Sequence, residues 1–480
     1  MPSLPGAGDG IIRAFARLVA TRANDPVVIS QAHCVTFGEI DSLARVVGEQ
    51  IVAARIEPGG LIGLAAPNGP AFLAGLLALC HARRPALLLD PAAPPEDRRR
   101  AMTMLGASAG LTCECTWPTS SADYQLSHLP GGPGRRILDG DIAVVKLTSG
   151  STGVPRGVAL RAEALMADEA ALARTMGFRE NDRLLAAIPM SHSYGLTTLA
   201  LSALVRGLSL ALPEDQGPFA PLTAAWQLGV SVFPTVPAYI QALLRMSKPP
   251  AFPSGVRLVI SAGAVLPGTA AADFRRTYGQ PVHAFYGSTE CGGICYDREG
   301  GAAERGTVGT PVDGVHVSLR DTDGEGLVMV ESAAVGESYL PEPDPRLGGG
   351  CFETSDVGAW RDDELILRRR VDRMINVRGH KVDPSEVEAV LVALQGVEEA
   401  VVIGLSPADR QGEIVRAVLV CPSRQLGYED VAAWCRPRLA EHKLPRSVVI
   451  VDALPRTPRG KIDRSALLNL RSGDRVPDSR

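Results

Sequence analysis

A run of small hydroxyl and glycine residues follows the apolar, strand-like segment Ile142–Leu147. The run reads Thr148-Ser149-Gly150-Ser151-Thr152-Gly153-Val154-Pro155-Arg156-Gly157. Residues of these types let the backbone approach a polyphosphate closely and donate N–H and O–H groups to it, and Arg156 adds positive charge. No Gly-Lys-Ser/Thr closes the run, so it is not a Walker loop. The run predicts a nucleotide-binding loop, and an ordinary serine- and glycine-rich loop is the alternative.

Further segments along the chain carry residue types that could do chemistry. They are Ile188–Leu196 (IPMSHSYGL), Tyr286–Glu290 (YGSTE), Glu353–Gly358 (ETSDVG), Arg370–Asp372 (RVD), Asn376–Lys381 (NVRGHK) and Pro455–Arg464 (PRTPRGKIDR). With the loop, and in this order, they resemble the motifs of the adenylate-forming superfamily, which includes acyl-CoA synthetases, nonribosomal-peptide adenylation domains and luciferases. The resemblance covers nearly the whole chain. Two residues depart from the family pattern: Arg156 replaces a lysine, and Ser355 replaces the usual glycine.

The resemblance implies a site for ATP and Mg2+. Glu290 and Thr148 would hold the metal, Tyr286 would stack on adenine, and Asp356 would accept hydrogen bonds from the ribose hydroxyls. The remaining nucleotide-binding positions that it implies are Thr148, Ser149, Gly150, Ser151, Thr152, Gly153, Arg156, Ala264, Gly287, Ser288, Thr289 and Arg370.

The catalytic positions lie mostly toward the C-terminus. Only five lysines occur in the chain, and Lys461 is one of them. By resemblance, its ammonium reaches the attacking carboxylate oxygen and the α-phosphate, where it stabilises the charge that develops in the transition state. The other catalytic positions that the resemblance implies are Arg370, Lys381, Gly379 and His192, and Asp372 matches the hinge about which the small domain turns between two half-reactions.

The absence of an aspartate from one segment limits the class of acid that the chain would activate. Amino-acid-activating relatives place an aspartate near the His192 segment to bind the substrate ammonium, and residues 189–204 contain none. An acid without an α-amino group is therefore expected. The pocket positions implied by resemblance are His192, Tyr194, Phe233, Ala262, Gly263, Ala264, Gly292 and Gly293.

The elements that position these residues alternate in type. Short apolar strand patterns and helical patterns follow one another through the first two thirds of the chain, which predicts an α/β fold with largely parallel buried strands. The resemblance implies a large N-terminal domain of layered parallel sheets with a β-barrel-like part, residues 1–371, and a smaller mobile α+β domain, residues 372–480. The stretch Cys113–Arg136 has no clear period and predicts a surface connection.

The composition of the chain excludes few classes of protein, and it agrees with an enzyme of this size. The chain has 480 residues and a net charge of -4, which gives no support for nucleic-acid binding. Nine scattered cysteines without zinc spacing predict reduced thiols. Because neither a signal peptide nor a membrane span is visible, a cytoplasmic protein is expected.

The resemblance implies an acid–thiol ligase of fatty or aromatic acid metabolism that acts on a small-molecule carboxylic acid. Coenzyme A is the favoured acceptor, and the phosphopantetheine of an acyl carrier protein is the alternative. A catalytically silent nucleotide-binding relative is the alternative from another class. Gly106-Ala107-Ser108-Ala109-Gly110 matches the pattern of a serine-hydrolase elbow, but a helical pattern precedes it and a strand-like one follows, which is the wrong order.

Overall fold

The computed structural model describes residues 8–129, 136–139, 141–149, 155–214, 217–320, 324–377, 380–405, 413–422, 426–457 and 462–470, without the side chains of Ser149, Pro155, Asp372, Lys381 and Ser465. Two units are distinct in it. One contains the described residues of Met1–Gly150, Val154–Thr354 and Ala359–Leu367. The other contains Ser355–Gly358 and the described residues from Arg368 onward. The division at residue 372 remains a prediction.

The described part of the chain forms short strands and helices. In chain order the strands are β1 (Pro26–Ile29), β2 (Cys34–Thr36), β3 (Ile62–Ala65), β4 (Ala86–Leu88), β5 (Ala109–Cys113), β6 (Tyr124–His128), β7 (Ile142–Ser149), β8 (Pro155–Arg161), β9 (Arg183–Leu185), β10 (Ser209–Ala211), β11 (Val232–Thr235), β12 (Leu258–Ser261), β13 (His283–Ser288), β14 (Gly292–Tyr296), β15 (Thr310–Pro311), β16 (His316–Arg320), β17 (Glu325–Glu331), β18 (Ser338–Leu340), β19 (Leu347–Gly348), β20 (Cys351–Arg361), β21 (Glu364–Arg370), β22 (Ile375–Val377), β23 (His380–Val382), β24 (Glu399–Leu405), β25 (Ile414–Val420) and β26 (Ser447–Val451). The α-helices are α1 (Asp9–Arg22), α2 (Phe37–Ala53), α3 (Pro70–His81), α4 (Pro95–Met104), α5 (Ala162–Thr175), α6 (Ser193–Gly195), α7 (Ala220–Gln227), α8 (Pro237–Leu244), α9 (Gly268–Tyr278), α10 (Ala302–Arg305), α11 (Pro384–Val392), α12 (Tyr428–Cys435) and α13 (Arg464–Asn469). A π-helix, Leu196–Arg206, continues directly from α6.

Two mixed sheets form the framework of the first unit. The larger has the strand order β15-β14-β13-β12-β11-β9-β10-β1-β2, and its strands from β13 to β1 are parallel. The other has the order β18-β8-β7-β4-β3-β5-β6, with β7, β4, β3 and β5 parallel and antiparallel strands at both edges. Parallel strands are buried on both faces, which explains their continuous apolar sequences. The predicted α/β fold with a smaller second unit is confirmed.

Local sequence signals account for individual elements. Strand β3 and helix α3 are apolar on all sides, and both are buried throughout apart from His81 at the helix end. Helix α2 begins at Thr36, whose hydroxyl accepts the Glu39 N–H while the Glu39 carboxylate accepts the Thr36 N–H. This reciprocal cap satisfies two backbone donors that a helix start leaves open.

The second unit contains a small three-stranded sheet and a hairpin. The sheet has the order β24-β25-β26, and β22 pairs with β23 in the hairpin. Helices α11 and α12 lie on apolar residues of the sheet, among them Val402 and Leu419. The α+β character predicted for this part of the chain is confirmed.

One prediction about the elements was wrong. Residues 113–136 are not only a surface connection, because β6 pairs antiparallel with β5 at the edge of the seven-stranded sheet. Of the five residues in β6 only Tyr124 is buried, so the strand shows no apolar alternation. The Tyr124 hydroxyl donates to the Ala71 carbonyl at 2.7 Å.

The hydrolase alternative fails on the order of elements. Ser108 lies between helix α4 and strand β5, so the helix precedes the serine and the strand follows it. A nucleophile elbow requires the strand first. Separately, no helix in the described ranges is long and apolar enough to cross a bilayer.

Candidate active site

The predicted phosphate loop joins two antiparallel strands of the first unit. Thr148, near the end of β7, lies directly opposite Arg156 on β8, and its hydroxyl lies 3.5 Å from the Arg156 carbonyl oxygen. Ser149 is the last residue of β7. The loop residues Gly150, Ser151, Thr152 and Gly153 lie outside the described residues. The loop therefore follows a strand as expected, but it returns into a second strand and not into a helix.

The segment with the proposed metal ligand ends strand β13. Tyr286, Gly287 and Ser288 lie on this strand, and Thr289 and Glu290 form the turn into β14. The Ser288 hydroxyl accepts the N–H groups of Glu290 at 3.2 Å and Cys291 at 3.3 Å. These bonds fix the backbone of the turn, so the Glu290 side chain starts from a defined position.

The Glu290 carboxylate meets the requirements of a magnesium ligand. Its Oε1 atom accepts a hydrogen bond from the Tyr339 hydroxyl at 2.9 Å. Ligating carboxylates are usually oriented by such a second hydrogen bond. The described residues contain no group of three or more histidine, cysteine, aspartate or glutamate side chains able to hold a metal ion. One carboxylate fits Mg2+, which binds through one or two carboxylates together with substrate phosphates.

Residues 188–196 were predicted to line the acyl pocket and are called the acyl segment below. This segment follows the carboxyl end of strand β9. Asn68 holds the start of this segment, because its side chain donates to the Ile188 carbonyl at 2.7 Å and accepts the Met190 N–H at 2.8 Å. A Cβ atom at Gly195 would lie 2.0 Å from the Pro189 carbonyl oxygen, so only glycine fits there. His192 precedes α6 and is half-buried. The Tyr194 hydroxyl donates to the Ile260 carbonyl at 3.1 Å.

A buried lysine lies beneath this segment. Lys146, on β7, is 2% exposed, and its ammonium donates to the Ser193 hydroxyl at 3.0 Å. Ser193 in turn lies 3.4 Å from the Ser288 carbonyl oxygen. Burial lowers the pKa of Lys146, and the charge of Asp168 counteracts this shift. The strand before the phosphate loop, the acyl segment and the turn with Glu290 are thus in mutual contact.

The counter-charge comes from helix α5. Asp168 is buried and accepts the Thr197 hydroxyl at 2.8 Å and the Gly293 N–H at 3.0 Å. Burial raises its pKa, and the Lys146 charge opposes that rise. Gly292 has a φ of 71°, and a Cβ atom there would lie 2.3 Å from the Asp168 carboxyl carbon. Gly292 therefore admits this carboxylate, whereas a Cβ atom at Gly293 would lie 2.6 Å from the Leu172 side chain.

The small predicted pocket residues follow strand β12. Ala262 is buried, while Gly263 and Ala264 are exposed. The buried Ser261 and Ser191 hydroxyls have no hydrogen-bond partner in the part of the chain that the structure describes. Buried hydroxyls normally have one, so these two are available to a polar ligand or water. Phe233 instead packs in an aromatic cluster with Tyr239 and Phe252.

The second unit contains those of the remaining predicted residues that the structure describes. Arg370 pairs with Asp356 at 3.5 Å, and both were predicted to bind nucleotide. Asp372 lies in a single 3-10 turn, Val371–Arg373, and Lys381 lies in strand β23. Gly379 and Lys461 lie outside the described residues. The predicted roles of all these residues remain predictions.

Family models match this order of elements and motifs. The model described as AMP-binding enzyme matches residues 15–340, and that of the AMP-binding enzyme C-terminal domain matches residues 386–461. The first match alone spans more than half of the chain. The chain belongs to the AMP-binding enzyme family. Its homologues are acyl- and aryl-CoA ligases, and it is an enzyme of the carboxylate–CoA ligase family.

Relatives of this AMP-binding enzyme act on different acids. It is 29% identical over 478 residues to the long-chain-fatty-acid–CoA ligase FadD13 of Mycobacterium tuberculosis, covering 90% of this chain and 92% of that protein. It is 29% identical over 457 residues to feruloyl-CoA synthase of Amycolatopsis sp., covering 89% and 92%. The o-succinylbenzoate CoA synthetase MenE of Bacillus subtilis, solved with its acyl-adenylate, has the same fold with a TM-score of 0.80 at 23% identity, covering 96% and 99%.

Several residues of the site were not assigned a role by sequence reasoning. Asn68, Asp168 and Tyr339 occur in no motif that the sequence singled out. Lys146 carried a signal, since it is one of five lysines and interrupts an apolar strand. A charged residue inside such a strand is rarely buried without a partner, so the chain had to supply one.

Proposed function

We propose that this AMP-binding enzyme converts a carboxylic acid without an α-amino group to an acyl-adenylate and then to a thioester of coenzyme A. One observation carries the proposal. Within the first unit, Thr148 before the phosphate loop contacts Arg156, Arg156 stacks on Tyr339, and Tyr339 binds Glu290. Groups suited to phosphate and to a metal ion therefore share one continuous set of contacts. The relatives named as CoA ligases support the same reaction.

In the first half-reaction, an oxygen of the substrate carboxylate attacks the α-phosphorus of ATP. The bond from that phosphorus to the oxygen bridging to the β-phosphate breaks, and pyrophosphate leaves. Thr148 and Arg156 would bind the phosphates, and Lys461 would stabilise the charge on the attacking oxygen and the α-phosphate. Mg2+, held by Glu290 and Thr148, would neutralise part of the triphosphate charge when bound.

In the second half-reaction, the thiol sulfur attacks the acyl carbon of the adenylate. The bond from that carbon to the phosphate oxygen breaks, AMP leaves, and the thiol proton passes to solvent. We assign Gly379 and Lys381 to the segment that faces the thiol, and Asp372 to the hinge between the half-reactions. Asp356 and Arg370 would contact the ribose and the nucleotide.

Charge beside the acyl segment favours an acid without an ammonium group. A substrate ammonium requires a carboxylate whose charge is not already balanced by another cation. The buried Asp168 accepts hydrogen bonds from Thr197 and Gly293, and its charge is balanced by Lys146. The cation Lys146 is bonded to Ser193 within the segment itself. An ammonium placed there would meet a like charge.

Pyrophosphate release from ATP tests the proposal. The purified chain is mixed with Mg2+ and a panel of aryl, short-chain, long-chain and amino acids, with and without coenzyme A. We expect release with one class of non-amino acid, together with an acyl-CoA when coenzyme A is present. Carrier-protein phosphopantetheine replaces coenzyme A in a parallel series.

Each outcome has a distinct meaning. Release without a CoA thioester, but with a loaded carrier protein, would replace coenzyme A by the carrier as acceptor. Release with amino acids alone would overturn the argument from Lys146 and Asp168. ATP binding without release for any acid would favour the catalytically silent alternative.

A further inference from the structure

Tyr339 makes two contacts with groups that the proposed reaction uses. It lies on β18, the edge strand paired with β8, and is 5% exposed. Its hydroxyl donates to Glu290 Oε1 at 2.9 Å. The Arg156 guanidinium carbon lies 3.9 Å from the centre of the same ring. One aromatic side chain therefore contacts both the candidate metal ligand and the cation of the phosphate loop.

The hydrogen bond has a fixed direction. An ionised carboxylate can only accept, so the phenol is the donor. The Gly336 N–H also donates to the Glu290 carbonyl at 2.7 Å. The segment that leads into β18 thus holds Glu290 by its backbone and by its side chain.

Arg156 is held on two sides. Its face lies on the Tyr339 ring, and its Nη1 atom donates to Asp344 Oδ2 at 3.2 Å. Arg346 also donates to Asp344, at 2.7 Å, and this bond lowers the pKa of that carboxyl group. A planar guanidinium can stack and donate in its plane at the same time, which a lysine ammonium cannot do. The contacts give a physical reason for arginine where the family pattern has lysine.

We propose that Tyr339 is a positioning residue that orients the Glu290 carboxylate for Mg2+ and fixes the Arg156 guanidinium beside it. The inference deepens the proposed function and rests on it. Because one rigid ring sets the spacing of the two groups, the metal and the phosphates would be received in a single geometry. Tyr339 would act on the metal and the phosphates only through Glu290 and Arg156.

The test measures metal binding without turnover. Mn2+ binding in the presence of α,β-methylene-ATP is followed by the electron paramagnetic resonance signal of free Mn2+. Tyr339→Phe keeps the ring and removes the hydroxyl, so we expect Mn2+ affinity to fall about 10-fold to 100-fold, as for other groups that orient metal ligands. Arg156→Lys should weaken the nucleotide more than the metal.

A matched control lies at the opposite edge of the same sheet. Tyr124 on β6 is buried, and its hydroxyl donates to a backbone carbonyl at 2.7 Å. Tyr124→Phe removes the same atom, so it should leave Mn2+ affinity unchanged. Tyr339→His returns a ring N–H donor and should recover part of the affinity lost in Tyr339→Phe, which separates positioning from packing.

The outcomes separate this inference from the proposed function. Equal Mn2+ affinity in Tyr339→Phe, Tyr124→Phe and the unaltered chain would overturn the inference, whatever acid the enzyme uses. Selective loss in Tyr339→Phe would support it even if no acid in the panel gave pyrophosphate. Should Tyr339→Phe fail to fold, Tyr339→His decides: its ring N–H donor should keep Mn2+ affinity above that of Glu290→Gln, and a loss as great as in Glu290→Gln would contradict the role.

Discussion

Glu290 and Arg156 carry opposite charges and share Tyr339 as a neighbour. At the scale of the residue, the proposed chemistry depends on such fixed charges more than on proton transfer. A carboxylate and a triphosphate are both anions, and their approach is unfavourable until cations neutralise them. Arg156, Lys461 and a metal on Glu290 would supply that neutralisation.

Lys461 is the first residue to substitute. Lys461→Ala should lower pyrophosphate release on the order of 10² to 10³-fold, as is typical when one group that stabilises transition-state charge is lost. Equilibrium binding of ATP should change little, because the charge develops only during the reaction. The exposed Lys248 provides the control Lys248→Ala, which should be silent. Loss of ATP binding in Lys461→Ala would contradict the assignment.

The residue types and their order in the sequence identified the motif residues. They did not identify the side chains that hold the motif residues in place. Glu290 and Arg156 belong to motifs, so they could be named before the fold was known. The hydrogen bond from Tyr339 exists only because β18 pairs with β8, and neither strand has a sequence pattern that specifies its partner. Asn68 is likewise recognisable only once the chain after β9 lies beside it.

At the scale of the element, β7 and α5 each contribute one of two buried side chains of opposite charge, Lys146 and Asp168. Lys146 lies within electrostatic reach of Asp168, Glu290 and Cys291. Removing one member of a buried pair leaves an uncompensated charge, whereas removing both restores much of the stability. The pair therefore constrains how the strand before the phosphate loop packs on the helix.

Asp168→Asn should destabilise the first unit by about 3 kcal/mol at pH 7. The variant Lys146→Met/Asp168→Asn should recover most of that loss. The pKa of Lys146 is lowered by burial from 10.5, and the substitution removes the carboxylate that opposes this shift. The unfolded chain then binds more protons than the folded one between the lowered pKa and 10.5, so stability should rise with pH in that window.

Urea unfolding at pH 7 and pH 9 measures both effects. The defect of Asp168→Asn should be smaller at pH 9, since Lys146 can lose its proton there. The partly exposed pair Lys443–Glu386, at 2.6 Å, provides the control Glu386→Gln, which should cost less than about 1 kcal/mol at either pH. Strictly additive effects of the two substitutions would contradict coupling between Lys146 and Asp168.

Thiol reactivity tests the packing of the hairpin β13–β14. Cys291 and Cys295 are buried, and burial raises the pKa of both thiols far above the ordinary value. Burial also raises the pKa of Cys80 to about 12. Iodoacetamide at pH 8 should therefore label the exposed Cys34, Cys115 and Cys351 in the native protein. It should label Cys80, Cys291 and Cys295 only in urea. Native labelling of Cys291 at the rate of Cys34 would contradict the packing.

The elements themselves were mostly predictable because apolar period and length specify them. Strand β3 and helix α3 follow directly from their continuous apolar runs. Strand β6 did not, because an edge strand with one buried residue has no period to read. The π-helix Leu196–Arg206 was not predicted either, since its register comes from packing and from the Thr197 bond to Asp168.

At the scale of the whole molecule, two units divide the proposed work. The described residues of the first include the phosphate-loop strands, the metal candidate and the acyl segment, and those of the second include Asp356 and Arg370. The AMP-binding model matches within the first unit, and the C-terminal model matches within the second. We therefore expect a complete reaction to require both units. The adenylate would be the product of the first half-reaction and the substrate of the second.

Isotope transfer tests that central claim most directly. The acid found in the pyrophosphate assay is prepared with oxygen-18 in its carboxylate and incubated with ATP, Mg2+ and coenzyme A. If the carboxylate attacks the α-phosphorus, one labelled oxygen must leave with AMP when the thioester forms. Mass spectrometry should therefore find one oxygen-18 in AMP for each acyl-CoA produced. Unlabelled AMP, or the label in phosphate alongside ADP, would contradict an acyl-adenylate.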